Sequence, residues 1–185
     1  MVEDGLIQDV IAHSCLRPET ARRVNRLVAD ADNAGAQYII VTCSSIGEAV
    51  EAAAENCGVP VLRVDRPMAD RAVATGRKIG VIATLATTLQ PTAELVRRCA
   101  EKAGRQIDLV ESLCEGAFEA LMKGDTATHD KMVRTSLDQL TSEVDVILLA
   151  QASMARVVEA MPQQLKSVPI LASPTVAMDY LATIL

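Results

Sequence analysis

Residues 37–47 read QYIIVTCSSIG. Tyr38, Ile39, Ile40 and Val41 form an apolar, β-prone run that passes directly into Thr42-Cys43-Ser44-Ser45, and an alanine-rich stretch of helical period, Glu48–Asn56, follows. This order predicts a buried strand, a tight turn and a helix. In an open parallel sheet, ligands collect at the carboxyl ends of the strands, where the first amides of the next helix also point. Cys43 falls there. A thiol at a helix N-terminus has its thiolate stabilised, so its pKa is expected below the free value of about 8.5. It is a candidate nucleophile or carbon base. The packing reading stands beside this one, because free cysteine is among the most often buried residue types. The adjacent hydroxyls of Thr42, Ser44 and Ser45 suit an anionic ligand.

The same grammar repeats along the chain. Arg17-Pro18-Glu19-Thr20 opens a helix with an apolar stripe at Val24, Leu27, Val28 and Ala31. Val59–Val64 reads as a strand, Arg66–Thr75 as a helix closed by Gly76, and Lys78–Thr84 as a further strand. That strand ends in Thr84-Leu85-Ala86-Thr87-Thr88, with a helix expected to start at Pro91. One threonine would be explained as an N-cap; three are more than one cap needs, and hydroxyls beside helix-start amides can hold a carboxylate. Ile107–Glu111 and Val144–Ala150 read as strands, the latter ending at Gln151-Ala152-Ser153, and Val168–Leu171 precedes a closing helix. Strand and helix alternate with short turns, which predicts an α/β protein with parallel sheets and flanking helices.

Composition narrows the function. Half of the 185 residues are hydrophobic, yet only 2% are aromatic, so the core is built from Ala, Val, Leu and Ile. The net charge of −6, with scattered lysines and arginines, argues against a nucleic-acid or anionic-membrane partner. No apolar run approaches the length of about 20 needed to span a bilayer, and the acidic start carries no signal pattern; a soluble, cytoplasmic protein is expected. Five cysteines without a CxxC pair fit a reducing compartment. His13 and His129 lack convincing ligand spacing to cysteine or carboxylate, so no metal site is read, and His129 is expected on a solvated helix face. Cys57 and Cys99 read as structural, and Cys114 as packing near a strand end. No glycine-rich phosphate loop is present.

Three stretches together suggest a family. Val41-Thr42-Cys43-Ser44-Ser45-Ile46-Gly47, then Gly80-Val81-Ile82-Ala83-Thr84 with Thr87-Thr88, then Asp145-Val146-Ile147-Leu148-Leu149-Ala150, resemble in order and spacing the aspartate/glutamate racemase superfamily. The resemblance covers nearly the whole chain. It implies two pseudo-symmetric α/β domains with a small carboxylate substrate between them and no cofactor. On this reading residues 1–76 with 173–185 form the domain carrying Cys43, and residues 77–172 form the other. Members use a pair of cysteines on opposite faces of a carbon acid, one removing a proton and the other returning one. Cys43 matches the first cysteine; Thr84 and Thr87, with Thr42, Ser44 and Ser45, match the surroundings of the substrate carboxylate, and Gln151 and Ser153 line the other half.

Two departures follow from the residues. Where the resemblance would place the second cysteine, the chain reads Ala150-Gln151-Ala152-Ser153. A carboxamide cannot shuttle a proton, and an unactivated hydroxyl is a poor carbon base. The leading strand usual in the family also has no counterpart before Leu6, which would leave a sheet edge exposed; a homo-oligomer, a dimer, is expected. The activity implied is a cofactor-independent isomerase of a small amino or dicarboxylic acid acting through Cys43. The alternatives are a single-cysteine decarboxylase, although that relative keeps the second cysteine and loses the first, a maleate-isomerase-like enzyme in which cysteine adds to the substrate, and a carboxylate-binding protein without turnover.

Overall fold

The computed structural model describes residues 1–162 and 167–184. By its contacts the chain divides into two units, Met1–Val64 and Asp65–Leu185.

The first unit contains α1 (Asp4–His13), α2 (Pro18–Asn33), β1 (Ile39–Val41), α3 (Gly47–Ala54) and β2 (Val61–Arg63). Pro18 occupies the first turn of α2, where its missing N–H costs nothing. The two strands pair in parallel, with Ile39 opposite Val61 and Val41 opposite Arg63. Leu6 and Val10 of α1, Val24 of α2, and Ile46, Ala49 and Val50 around α3 form the core, against which Val41, Cys43 and Val61 pack. At the edge of this core Asp9 accepts hydrogen bonds from Arg17 and Thr20. The Arg17 guanidinium, then the Thr20 hydroxyl, lower its carboxyl pKa to about 2.

The second unit contains α4 (Arg66–Thr75), β3 (Lys78–Ala83), α5 (Ala86–Lys102), β4 (Asp108–Leu113), α6 (Ala117–Met122), α7 (Thr126–Leu140), β5 (Val146–Leu149), α8 (Ala155–Glu159), β6 (Ile170–Ala172) and α9 (Ser173–Leu181). Its four described strands are parallel in the order β4-β3-β5-β6. Alternation along the strands sorts the core onto two faces. Ile79, Val81 and Ala83 of β3, with Val146 and Leu148 of β5, meet α4, α5 and α9. Ile82, Ile147 and Leu149 meet α6, α7 and α8. Both faces are covered, as an all-parallel sheet requires. Gly76 is needed for a close approach: a Cβ there would lie 2.4 Å from Asp145 Cβ. Asp145 in turn accepts from the amides of Arg77 and Lys78 at 2.8 Å, which fastens the start of β3 to the start of β5.

The α/β class and parallel pairing are as expected, and four local readings are corrected. The helix expected from Pro91 starts at Ala86, with Pro91 inside it. Thr87 and Thr88 therefore lie in the first helical turn, and Pro91, the sixth residue of the helix, cannot donate a bond to the preceding turn. β4 extends to Leu113, two residues past the expected strand end at Glu111. His129 is fully buried, because it shares a face of α7 with Val133, Leu137 and Leu140. The closing segment, grouped on the sequence reading with the Cys43 half, supplies α9, which packs with α4 and β6 in the second unit.

Candidate functional site

In the first unit β1 runs out at Val41, and Thr42 and Cys43 follow in extended backbone. Cys43 (φ −112°, ψ 114°) caps a single 3-10 turn, Ser44–Ile46, which leads into α3 at Gly47. Thr42 is exposed, Cys43 is half-buried, and Ser44 and Ser45 are buried. The expected helix therefore begins with a tighter turn, and that turn presents Cys43 at the strand's carboxyl end. Beneath it lies a residue the sequence reading does not single out. Arg63, the last residue of β2, is buried at 5% exposure. Its guanidinium crosses the first turn of α3, so a Cβ on Gly47 would sit 2.2 Å from Arg63 Cζ. Glu51, one turn along α3, pairs with Arg63 Nη1 at 3.3 Å. The available signal is a charged residue in the otherwise apolar run Val59–Val64.

In the second unit the register brings the carboxyl ends of β3, β4 and β5 to one edge, with Ala83 opposite Leu113 and Ile82 opposite Leu149. Gln151 (φ −134°, ψ 136°) caps a 3-10 turn, Ala152–Met154, which leads into α8. The Gln151 side chain reaches the turn after β3. Its Oε1 accepts from the Thr84 amide at 2.6 Å and from the Thr84 hydroxyl at 3.1 Å, and its Nε2 donates to Thr84 Oγ1 at 2.9 Å. Thr84 is buried at 4% exposure, so Gln151 satisfies it. Thr87 is half-buried on the first turn of α5, and its Oγ1 is buried without a hydrogen-bond partner among the described residues. Ser153 is half-buried in the 3-10 turn. The structure thus joins Thr84 with Gln151, and no hydrogen bond among the described residues ties Thr87 or Ser153 to that pair.

One thiol lies at this edge. Cys114 follows β4, its amide bonded to Ala83 O at 2.8 Å, but its side chain turns into the core and donates to Ser136 Oγ at 3.2 Å. Burial raises its pKa. It borders an open cavity of about 470 Å³ against the Thr128–Ser136 side of α7. Cys99, deep in the core, is pushed up to about 12, chiefly by burial. Neither is placed to act as a carbon base near neutral pH. His129 Nδ1 lies 2.7 Å from Asp130 Oδ1, and Arg156, at the start of α8, reaches the same carboxylate oxygen at 2.6 Å. Among the described residues no three His, Cys, Asp or Glu side chains gather as a metal-ligand set. No described helix is long and apolar enough to cross a membrane.

Comparison with known proteins places the fold. The family model described as Asp/Glu/Hydantoin racemase matches residues 4–181. No curated protein matches in a sequence search. Among solved structures, glutamate racemase RacE1 from Bacillus anthracis superposes with a TM-score of 0.68 at 22% identity, over 90% of this chain and 66% of that one. An aspartate racemase homologue from Pyrococcus horikoshii gives 0.69 at 16% identity, over 91% and 76%. Allantoin racemase from Klebsiella pneumoniae gives 0.65 at 18% identity, over 89% and 66%. At these identities the likeness is one of fold, and the chain spans just under two thirds of the length of the glutamate and allantoin racemases.

Proposed function

The chain belongs to the Asp/Glu/Hydantoin racemase family, and on that premise we propose that it is a cofactor-independent isomerase of a small amino or dicarboxylic acid, with the Cys43 thiol as its proton-transfer group. The observation that carries this reading is the position of Cys43, half-buried at the cap of the turn that ends β1. Ser44 and Ser45 follow it, and hydroxyl and amide donors of that kind stabilise the charge that develops on a carboxylate as its neighbouring carbon loses a proton. Thr87, whose buried Oγ1 has no hydrogen-bond partner among the described residues, is proposed as a carboxylate donor on the α5 turn. Thr42, Thr84, Gln151 and Ser153 belong to the same proposal, Gln151 by holding Thr84 in place.

A second reading has its own support. At the second unit's strand-end turn the side chain is a carboxamide engaged with Thr84, which neither accepts nor returns a proton. One thiol then serves one face of the carbon. This favours one-sided chemistry: exchange without inversion, decarboxylation with protonation by Cys43, or addition of Cys43 to an unsaturated diacid. Proton NMR in deuterated water over a panel of amino and dicarboxylic acids tests the proposal. Loss of an α-proton signal with the wild-type chain and not with Cys43→Ala is expected. A folded wild type that exchanges no member of a broad panel would count against the isomerase and leave decarboxylation or binding.

A further inference from the structure

Among the described residues of the first unit, Arg63 is the one charged side chain that is buried. Placing a guanidinium out of water is costly unless something compensates it, and its location bears on the thiol. It lies across Gly47, the residue at which the Cys43 turn becomes α3, so closely that a Cβ there would require the guanidinium to move aside. Cys43 and Gly47 are four residues apart across the three-residue 3-10 turn Ser44–Ile46, and a rise of about 2.0 Å per residue puts them about 8 Å apart.

From this geometry we infer that Arg63, held by Glu51 against the first turn of α3, is a positioning residue that sets the reactivity of Cys43 by stabilising its thiolate. The inference deepens the reading above, since it concerns the same thiol, but it needs no turnover to be tested. The proposed coupling is Coulombic. A permanent cation on the order of 10 Å from a thiolate, at an effective dielectric near 20, favours the charged form by about one pKa unit. The other charges on the elements around Cys43 are more exposed or already paired. On α1, Asp4 is exposed, and Asp9 is tied to Arg17 and Thr20, with His13 beside it. On α2, Glu19, Arg22, Arg23, Arg26 and Asp30 are exposed, and Asp32 accepts from the Gly58 amide. On α3, Glu48 and Glu55 are exposed and Glu51 is half-buried against Arg63 itself. Glu51 therefore opposes the effect of Arg63, and removing it is expected to act in the opposite sense.

The test is the pH dependence of iodoacetamide alkylation at Cys43 in the full chain, with the adduct located by peptide mass spectrometry. Arg63→Met is expected to move the midpoint up by about one pH unit, slowing alkylation near pH 7 about tenfold. Arg63→Lys, which keeps the charge, is expected to return most of the way to wild type. Glu51→Gln is expected to move the midpoint down by a few tenths of a unit, since a half-exposed carboxylate is partly screened. A folded Arg63→Met whose midpoint is unmoved or lowered would overturn the inference. Where Arg63→Met does not fold, Glu51→Gln decides, and a midpoint unmoved or raised overturns it. Shifted midpoints in a protein that exchanges no α-proton would support this inference and count against the isomerase reading, so the two fail separately.

Discussion

The turn after β1 and the turn after β5 are built alike residue for residue and filled differently. In each, the strand ends, one residue follows, an extended residue caps a three-residue 3-10 turn, and an α-helix begins. Cys43 and Gln151 hold the cap, Ser45 and Ser153 the second position of the turn, Ile46 and Met154 the buried third, and Gly47 and Ala155 the start of the helix. One cap carries a thiol above a buried guanidinium. The other carries a carboxamide that fastens the neighbouring strand end. The same backbone device therefore supports an ionisable group in one unit and a structural clamp in the other; the proposed function assigns the chemistry to Cys43, and the hydrogen bonds to Thr84 give Gln151 a structural part.

The largest effect separating the two turns is on activity. Cys43→Ala is expected to reduce α-proton exchange by about 10³-fold or more, the scale of a lost general acid or base, while changing stability by about 1 kcal/mol or less in urea unfolding. Gln151→Ala is expected to act chiefly on stability, with a smaller loss of exchange than Cys43→Ala. It leaves the buried amide and hydroxyl of Thr84 without their partner and costs about 1–3 kcal/mol. A Gln151→Ala variant as stable as wild type would remove the clamp from the comparison.

The helix starts offer a smaller contrast. Gly47→Ala forces the Arg63 guanidinium aside and is expected to cost about 1–3 kcal/mol, as overpacking does. Ala155→Gly meets no such neighbour and is expected to cost about 1 kcal/mol or less, the ordinary Ala-to-Gly difference in a helix. Equal costs at the two positions would mean that Arg63 yields freely.

The smallest effect concerns a carboxylate in each unit rather than the turns. The folded-state pKa of Asp9, about 2, lies below its ordinary value of 3.8. A depressed carboxyl contributes stability that is present above the unfolded value and lost as the pH falls through the folded one. The first unit is thus expected to lose this contribution between about pH 4 and pH 2. Asp145 in the second unit follows the same sign, its carboxyl lowered by the amides of Lys78 and then Arg77. Acid titration followed by circular dichroism checks this, and Asp9→Asn should flatten the acid limb relative to wild type.

The two turns were not equally legible. An apolar run entering Thr-Cys-Ser-Ser before an alanine-rich helix is a local signal, and it shows the strand, the turn and the thiol directly. The absence of a second cysteine is equally plain at Gln151. What Gln151 does instead depends on Thr84, 67 residues away, through hydrogen bonds that no local pattern encodes. Pro91 misleads for a physical reason: proline favours a first turn, but here helix formation begins five residues earlier and absorbs it. His129 sits between Thr128 and Asp130, which suggests a solvated face. Its spacing of four and eight residues from Val133 and Leu137 is the stronger signal, and it places the ring inside. Arg63 escapes notice because a three-residue strand shows too little alternation to reveal a buried charge.

The claim that the Cys43 thiol carries the chemistry is tested most directly by stereochemistry. A single enantiomer of each exchanging acid is incubated in deuterated water, then recovered and analysed for both deuterium content and configuration. The isomerase reading predicts deuterium incorporation with inversion, both requiring Cys43, whereas incorporation with configuration retained would select the one-sided alternative. Exchange that persists in Cys43→Ala would contradict the account.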